Sequence, residues 1–458
     1  MNDLRPEEIK AQVESALDQA QYDEQSDIDI SIDVPTKEKK IVWQPKDLSI
    51  RDLANQRDDG DLILQPDYQR KFVMKRTQSS RLIESILMNV PIPTIYLAEE
   101  EDATLSVIDG QQRLTSFISF IRGHFPDGAP FKLSGLKVLP ELNRKAFIDL
   151  AEVQQRTIKK TTLHCIIINN ESHPDIKFEI FERLNTGSIK LNEDEIRNTV
   201  YRGSLINLLA DLENNEMFHA LVRKDNFKTR MIYRGMILRY FALMEKSYIN
   251  YKPSMKQFSN KYLRDHRNIT ADKATELTAV FKKSVELVKV VFGDKAFRRY
   301  IPGSDDDPNG KWSVSRINMA LFDIQMTCFA IYDKNQIIPK ADAIREALMT
   351  LMTTDQKFID SILIQTSNKE TLQTRFRIWM DTLSSIVDSS STGPRTFDYR
   401  TKLRLFDDDP TCGICSQQIL HIDDAEVDHI EAYSKGGETS IENAQIAHRY
   451  CNRAKSNK

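Results

Sequence analysis

The stretch that decides the fold of the C-terminal part of the chain lies between residues 412 and 455. It begins with Cys412-Gly-Ile-Cys415, continues through Glu426-Val-Asp428-His429-Ile430 and Ile441-Glu-Asn443, and ends with His448-Arg-Tyr-Cys451-Asn452-Arg453-Ala-Lys455. Two residues separate the members of each pair, Cys412/Cys415 and His448/Cys451, so both side chains of a pair can bind one tetrahedral ion. Three thiolates and one imidazole therefore predict a closed structural zinc site.

The residues between and after these pairs have the chemistry of metal-assisted hydrolysis. Asp428 and Asn452 offer oxygen ligands that suit Mg²⁺ or Mn²⁺. Such an ion polarises a phosphate and stabilises the oxygen that leaves. His429 follows Asp428 directly, and an imidazole that is neutral near pH 7 can accept a proton from water. The pattern therefore predicts a hydrolytic centre in which His429 is the general base.

Further residues of this stretch have predicted supporting roles. Asn443 is expected to orient His429, either through the backbone or through the imidazole. Arg453 and Lys455 fall in the helix predicted after the last ligand pair, where they can hold phosphate oxygens. Gly436-Gly437 permits a tight turn between two strands.

This order of motifs resembles the HNH endonuclease family, whose domains have a ββα fold around a metal ion. The resemblance covers about residues 400–458 and includes the Cys pair, Asp-His, Asn, and a second ligand pair followed by Asn and Lys. One departure is His448, because the second pair more often begins with Cys. The alternative is a zinc ribbon that binds DNA without cutting it, but such a ribbon needs no Asp-His-Asn set.

The composition of the whole chain is that of a globular protein with several domains. The chain has 458 residues, of which 40% are hydrophobic and 29% charged, and its net charge is −3. This length predicts two to four domains, and this charge leaves nucleic-acid contacts to local patches. Because no apolar run of about 18 residues and no N-terminal signal sequence occurs, we expect a cytoplasmic protein without a membrane span. Cys165 and Cys328, in apolar surroundings, are expected to be buried core residues.

The pattern along the chain predicts an α+β multidomain protein. Short apolar runs at 94–97, 105–108 and 163–168 predict strands of an α/β domain, whereas the segment from about 200 to 385 has helical spacing almost throughout. A Ser/Gly/Pro-rich stretch after this segment indicates a linker. The predicted division is an acidic N-terminal segment 1–40, an α/β domain 41–204, an all-helical middle region 205–387, a linker 388–396 and a C-terminal domain 397–458.

A second informative stretch is Ile108-Asp109-Gly110-Gln111-Gln112-Arg113-Leu114. It predicts a strand that runs through Asp-Gly into a helix. The N–H groups at a helix N-terminus bind anions, Arg113 adds a cation to the first turn, and Asp109 can hold a metal or orient a water molecule. On these grounds alone, an ordinary strand–turn–helix with a surface arginine fits the stretch equally well.

Several separated motifs accompany this loop. They are Leu64-Gln-Pro66-Asp-Tyr68-Gln69-Arg70, Pro91-Ile-Pro93, Ile180-Phe-Glu-Arg183-Leu-Asn185-Thr-Gly187 and Leu191-Asn192 with Glu195-Ile-Arg197-Asn198. Over about residues 45–205 the set resembles the N-terminal domain family of GmrSD-type restriction enzymes, which has a ParB/sulfiredoxin-like fold. One departure is Met74, where this family often has an aromatic residue.

The GmrSD resemblance implies a domain that binds and hydrolyses a nucleotide, senses modified DNA and governs a nuclease domain. The residues that it carries over as the signature loop are Asp109, Gly110, Gln111, Gln112 and Arg113. Those that it carries over as neighbours of the same pocket are Gln69, Arg70, Arg183 and Asn185.

The helical middle region contains a stretch with lopsided charge. Between Arg223 and Arg267 there are twelve Lys or Arg residues and three acidic residues, with aromatic residues interleaved. This pattern fits a groove that follows a DNA backbone, in which Arg230 and Arg234 would bind phosphates. A solvated helical face over an aromatic core fits the same pattern equally well.

Together these predictions describe a DNA endonuclease of a prokaryotic anti-phage restriction system. A domain that senses a nucleoside triphosphate (NTP) would control the cutting or nicking of double-stranded phage DNA in a modified form. The expected cofactors are structural Zn²⁺, catalytic Mg²⁺ or Mn²⁺, and the NTP, and a homo-oligomer is compatible with the sequence. Two alternatives stay open: a DNA-binding regulator with a structural zinc domain that does not cut, and an α/β domain that is itself the nuclease.

Overall fold

A computed structural model gives the structure of the protein. It describes residues 41–64, 74–184, 191–224, 227–228, 230–246, 248–313, 317–388, 397, 399–431 and 437–456. The predicted segment 1–40 and nearly all of the predicted linker 388–396 lie outside the described residues, as do the predicted pocket residues Gln69, Arg70 and Asn185.

The N-terminal part of the chain is built on a mixed five-stranded sheet. Its strands are β1 (Trp43–Ser49), β2 (Leu62–Ile63), β3 (Ile95–Glu99), β4 (Leu105–Asp109) and β5 (Thr162–Ile168). The strand order is β1-β5-β3-β4-β2. β5 pairs antiparallel with β1 and parallel with β3, while β4 pairs antiparallel with β3 and parallel with β2. The three strands predicted from apolar runs are confirmed.

The two faces of this sheet pack into two different hydrophobic cores, because successive side chains of a strand point to opposite faces. Leu97 and Ile167 enter the first core, whereas their neighbours Ala98 and Ile168 enter the second. The helices that contribute to the first core are α1 (Ile50–Asp59), α2 (Arg76–Leu87), α3 (Gln111–Arg122) and α4 (Glu152–Lys160). The second core is continuous with the helical region, so the sheet and that region share one hydrophobic interior.

The middle of the chain is mostly helical and also holds one short hairpin. Its helices are α5 (Pro174–Leu184), α6 (Glu193–Val200), α7 (Ser204–Leu212), α8 (Glu216–Val222), α9 (Ile232–Lys246), α10 (Met255–Asp265), α11 (Ala271–Phe292), α12 (Met319–Phe329), α13 (Lys334–Ile337), α14 (Ala341–Thr354), α15 (Gln356–Leu363) and α16 (Lys369–Asp388). The hairpin pairs β6 (Tyr300–Ile301) antiparallel with β7 (Lys311–Trp312). No helix among the described residues is long and apolar enough to cross a membrane.

Helix α12 forms the centre of the helical region, and all of its residues are buried. A helix that is apolar nearly all round is expected in such a position. Its one acidic residue, Asp323, is fully buried and accepts hydrogen bonds from Arg239 Nε at 2.6 Å and from an Arg375 terminal nitrogen at 2.7 Å. This buried ion cluster ties α9 and α16 to the central helix.

The C-terminal part has a ββα arrangement preceded by one helix. Its elements are α17 (Tyr399–Asp408), β8 (Ala425–His429), β9 (Ala444–His448) and α18 (Arg449–Ser456). β8 and β9 pair antiparallel, with Asp428 opposite Gln445 and His429 opposite Ala444. The buried hydrophobic cluster is small and includes two of the cysteines, so this part depends on a cross-link or a metal for stability.

The C-terminal part is docked on the helical region through polar contacts. Trp312 Nε1 donates to Asp423 Oδ2 at 3.1 Å, and Tyr300 donates to Asp424. The Leu420 N–H donates to Asn309 Oδ1 at 3.0 Å. The hairpin β6–β7 and the loop between its strands therefore form one side of the docking surface.

Candidate metal-dependent active site

The four predicted zinc ligands come together at the start of the ββα unit. The ligand atoms of Cys412, Cys415, His448 and Cys451 all lie within 4.8 Å of one another. The Cys415 sulfur is 3.4 Å from His448 Nδ1, and the Cys451 sulfur is 3.8 Å from the same atom. Tetrahedral zinc, with Zn–S bonds of about 2.3 Å, places its ligand atoms roughly this far apart. The donor set and its geometry thus fit a structural zinc ion.

The loop that carries the first cysteine pair is shaped for metal binding. Burial works to raise the pKa of the Cys412 thiol, but backbone N–H groups of Cys415 and His448 donate to its sulfur and lower the pKa to about 7. The thiolate, which is the form that binds metal, is therefore accessible at neutral pH. A Cβ atom on Gly413 would lie 2.3 Å from Gln445 Oε1, so glycine at this position leaves room for the Gln445 side chain.

The residues predicted to take part in hydrolysis lie on β8 and α18. Asp428 Oδ2 accepts hydrogen bonds from Gln445 Nε2 and Lys455 Nζ, both at 2.7 Å. Side chains alternate along a strand, so Glu426 shares the Asp428 face, and its Oε2 accepts from Asn452 Nδ2 at 2.9 Å. Asn452 and Lys455 are three residues apart on one face of α18, and both point at β8.

His429 ends β8, and its imidazole is held by two neighbours. Its Nε2 lies 3.0 Å from Thr439 Oγ1, and its ring centroid lies 4.6 Å from that of Phe397. Asn443 fixes the backbone just after His429: its Oδ1 accepts from the Glu431 N–H at 2.8 Å, and its Nδ2 donates to the Glu431 carbonyl at 3.1 Å. Asn443 was predicted to orient His429 either through the backbone or through the imidazole, and these bonds are made with the backbone.

Comparison with known families supports both resemblances inferred from the motifs. Residues 412–458 match the family model described as HNH endonuclease, and residues 50–202 match that of the GmrSD restriction endonuclease, N-terminal domain. The chain joins a GmrSD-like N-terminal domain to an HNH-like nuclease domain. A search of curated proteins found no match. The two matches support a restriction-type nuclease that acts on DNA, and the Cys–His cluster supports a bound zinc ion.

The signature loop of the GmrSD-like domain joins β4 to α3 through Gly110. This residue has a φ of +97°, and a Cβ atom there would lie 2.4 Å from Ile95 Cδ1, so only glycine fits. Arg113 donates to Asp109 Oδ2 at 2.7 Å and to the Pro93 carbonyl. Arg113 thus ties the start of α3 to Asp109 and to the chain before β3.

The remaining predicted pocket residues are only partly described. Gln111 begins α3, and Gln112 Oε1 accepts from the Met74 N–H at 3.2 Å. Arg183 lies exposed near the end of α5. The Gln112 contact places the signature loop beside Met74.

The Leu191–Asn198 motif has a structural role in the described residues. Asn192 caps α6, where its Oδ1 accepts from the Glu195 N–H at 2.9 Å while Glu195 Oε2 accepts from the Asn192 N–H at 2.7 Å. Arg197 is buried and donates to Asp194 Oδ1 at 2.6 Å and to Asn260 Oδ1 at 2.8 Å. The motif therefore joins α6 to α10.

The predicted DNA groove in the middle region requires a correction. The aromatic residues of this stretch that the hydrophobic core buries are Phe227, Tyr233, Tyr240, Phe241, Tyr251, Phe258 and Tyr262. Arg234 is buried too, and its Nε donates to Glu213 Oε2 at 2.8 Å. Arg230 lies 3.5 Å from Glu195 and is largely covered. The prediction that Arg234 binds phosphate is wrong, because its charge is neutralised inside the protein, and the aromatic-core alternative describes this stretch.

Sequence reasoning missed several residues around the nuclease site. Glu426 and Gln445 contact Asn452 and Asp428, and Thr439 contacts His429. The position of Glu426, two residues before Asp428 on a strand, was the available signal. Gln445 could be found only from the pairing register of β8 and β9.

Proposed function

We propose that the protein is a DNA endonuclease of a prokaryotic anti-phage restriction system, in which the GmrSD-like domain responds to a nucleotide and the HNH-like domain cuts. The observation that carries the proposal is the arrangement of Asp428 and Asn452 on facing elements, with His429 at the end of the same strand. Both elements fall within residues 412–458, which match the HNH endonuclease family model, and this match supports the proposal.

Asp428 and Asn452 are the proposed ligands of a catalytic Mg²⁺ or Mn²⁺. Their carboxylate and amide oxygens are hard donors of the type that these ions prefer. The Lys455 ammonium lies 2.7 Å from Asp428 Oδ2, so the carboxylate already faces a cation. When bound, the ion would neutralise phosphate charge and stabilise the leaving oxygen.

His429 is the proposed general base that takes a proton from the attacking water. Thr439 and Phe397 restrict the orientation of the imidazole, and Asn443 restricts the backbone that carries it. Arg453 and Lys455 each pair with a carboxylate, and we assign the predicted phosphate contact to Lys455 because its side chain is more exposed, at 36% against 22%.

Cleavage of supercoiled plasmid in the presence of Mg²⁺ or Mn²⁺ tests the nuclease assignment. We expect His429→Ala to lose cleavage while DNA binding and zinc content stay unchanged. His164→Ala is the matched control, because this imidazole is exposed on the N-terminal sheet and pairs with Asp47. A zinc-loaded protein that binds DNA but never nicks it, under any nucleotide condition, would instead support the regulator alternative.

The GmrSD-like domain is the proposed sensor. The match over residues 50–202 supports an anion site for an NTP, and so does the start of α3 after Gly110, because the first N–H groups of a helix have no partner within the helix. We propose that Asp109, Gly110, Gln111, Gln112 and Arg113 border this site. Turnover of ATP, GTP, CTP and UTP, with modified or unmodified phage DNA added, tests the assignment, and Asp109→Ala should reduce it.

The domain limits and cellular setting are also proposals. We propose limits of 41–204, 205–387 and 397–458, with 1–40 and 388–396 as connecting segments, in a cytoplasmic protein that acts on phage DNA. The shared core of sheet and helical region predicts that the first two domains unfold together. A mass measurement with and without NTP tests for a homo-oligomer.

A further inference from the structure

Three side chains converge on the carboxylate of Glu426. Its Oε1 accepts hydrogen bonds from Arg449 at 2.9 Å and from Arg453 at 2.7 Å, and its Oε2 accepts from Asn452 Nδ2 at 2.9 Å. Only 19% of the Glu426 side chain is exposed. Two guanidinium groups therefore fix the carboxylate, and the carboxylate in turn fixes the Asn452 amide.

Fixing one end of a carboxamide also sets the direction of the other. The amide has a nitrogen that donates and an oxygen that accepts or binds a cation. Because Asn452 Nδ2 donates to Glu426, the carboxamide is held in one of its two orientations, with its oxygen at the end opposite the Glu426 carboxylate. The Glu426 carboxylate thus determines that the side-chain oxygen of Asn452, and not its nitrogen, is the atom that a cation can use.

The two arginines extend beyond the HNH-like domain. Arg449 is 1% exposed, donates to the Asp423 carbonyl at 2.6 Å, and donates to Glu346 of helix α14. Arg453 donates to Thr353 of the same helix. Glu346 and Thr353 are seven residues apart, which is about two helical turns, so they lie on one face of α14.

Glu346 is well suited to hold a buried arginine. Burial works to raise the pKa of its carboxyl, but the charges of Arg449 and Lys402 outweigh this effect and hold the pKa below the usual value. Lys402 Nζ donates to the other Glu346 oxygen at 2.7 Å. The carboxylate therefore stays ionised at neutral pH and bridges α17 and α18 to the helical region.

We propose that helix α14 completes the nuclease site. Its Glu346 and Thr353 hold Arg449 and Arg453, and these two arginines hold Glu426. Glu426 in turn orients Asn452 towards the catalytic ion. Glu426 and Glu346 are positioning residues, and their role rests on the proposed function of Asp428 and Asn452 as ion ligands. The helical region, which shares its core with the GmrSD-like sheet, is then a structural part of the nuclease centre.

Binding of Mn²⁺ to the full-length, zinc-loaded chain, followed by electron paramagnetic resonance, tests the proposal without relying on cleavage. We expect Glu426→Gln to weaken this binding about tenfold or more, since outer-shell changes at metal sites cost about 10–100-fold in affinity. Glu346→Gln and Thr353→Val should weaken it less, because each removes one more distant contact.

Matched controls separate positioning from general stability. Glu442→Gln changes an exposed carboxylate of the HNH-like domain, and Thr350→Val changes an exposed threonine on α14. Both should bind Mn²⁺ like the unaltered chain. Zinc content and Tm are measured for every variant. If Glu346→Gln fails to fold, Thr353→Val, which changes no charge, decides whether α14 affects Mn²⁺ binding.

The outcomes distinguish this proposal from the proposed function. If Asp428→Ala binds Mn²⁺ as tightly as the unaltered chain, the ion site itself is wrong and both proposals fail. If Asp428→Ala loses the site while folded Glu426→Gln, Glu346→Gln and Thr353→Val keep it, only the positioning proposal is refuted. A loss of Mn²⁺ that always accompanies a loss of zinc or a lower Tm also refutes it.

Discussion

Replacing Asn443 with alanine tests how the backbone after His429 supports catalysis. The Asn443 side chain accepts from the Glu431 N–H at 2.8 Å and donates to the carbonyls of Glu431 at 3.1 Å and Glu438 at 2.8 Å. These three bonds link Glu431, just after β8, and Glu438 to Asn443, just before β9. Asn443→Ala removes all three and leaves the β8–β9 pairing untouched.

The size of the effect follows from where these bonds lie. A neutral hydrogen bond contributes about 0.5–1.5 kcal/mol net, so three contribute about 1.5–4.5 kcal/mol. Glu431 and Glu438 are exposed, so water replaces much of what is lost and the low end applies. About 1.4 kcal/mol corresponds to a factor of ten. We expect kcat for plasmid cleavage to fall about tenfold.

Single-turnover cleavage at saturating Mg²⁺, together with Mn²⁺ affinity, measures this effect. Affinity should stay within about twofold, because the Asn443 bonds do not involve Asp428 or Asn452. Asn443→Asp keeps the acceptor for the Glu431 N–H but loses both donors, so it should not restore the rate. A normal rate in Asn443→Ala, or a loss of Mn²⁺ affinity equal to the loss of rate, would refute the reasoning.

Four further results are expected. Removal of zinc with a chelator should destabilise the HNH-like domain, so that calorimetry records its unfolding as a separate transition. A single unchanged transition would contradict the structural role of the ion. Asp323→Asn should cost about 3–5 kcal/mol in urea unfolding, because two buried arginines lose their charged partner. Gly110→Ala should lower Tm more than Gly128→Ala, since both residues have positive φ but only at Gly110 does a Cβ clash; equal shifts would remove the steric argument. Arg234→Ala should lower the stability of the fold and leave the salt dependence of DNA binding unchanged. A flatter salt dependence would instead support the predicted DNA groove.

The zinc site and the Asp–His pair could be predicted because their chemistry is encoded in short spacings. Cys412 and Cys415 are neighbours in any conformation that forms a metal-binding loop, and Asp428 precedes His429 directly. Glu346 could not be predicted in the same way. It lies about a hundred residues before Arg449 on an ordinary amphipathic helix, so only the docking of the two domains shows its role.

The DNA groove was mispredicted for a related reason. The stretch between Arg223 and Arg267 has few acidic residues of its own, but the acids that pair with it lie elsewhere in the chain. Glu213 pairs with Arg234, Asp323 with Arg239, Asp175 with Arg264, and Glu182 with Lys256. A local excess of charge therefore does not show whether a surface is charged, because folding brings distant partners to it.

The packing of the sheet is a further feature that the sequence alone did not predict. The apolar runs predicted the strands β3, β4 and β5. Nothing in these runs indicated that the helical region covers the second face and shares its core. The GmrSD-like sheet and the helical region therefore share one core among the described residues, which is the physical basis for treating them as one body.

The central claim is that the HNH-like site cuts DNA with His429 as its base, and plasmid cleavage tests it most directly. Unaltered chain and His429→Ala, both zinc-loaded, are incubated with plasmid, Mg²⁺ or Mn²⁺ and each NTP. We expect nicked or linear DNA with the unaltered chain and none with His429→Ala. Equal cleavage by the two proteins would contradict it.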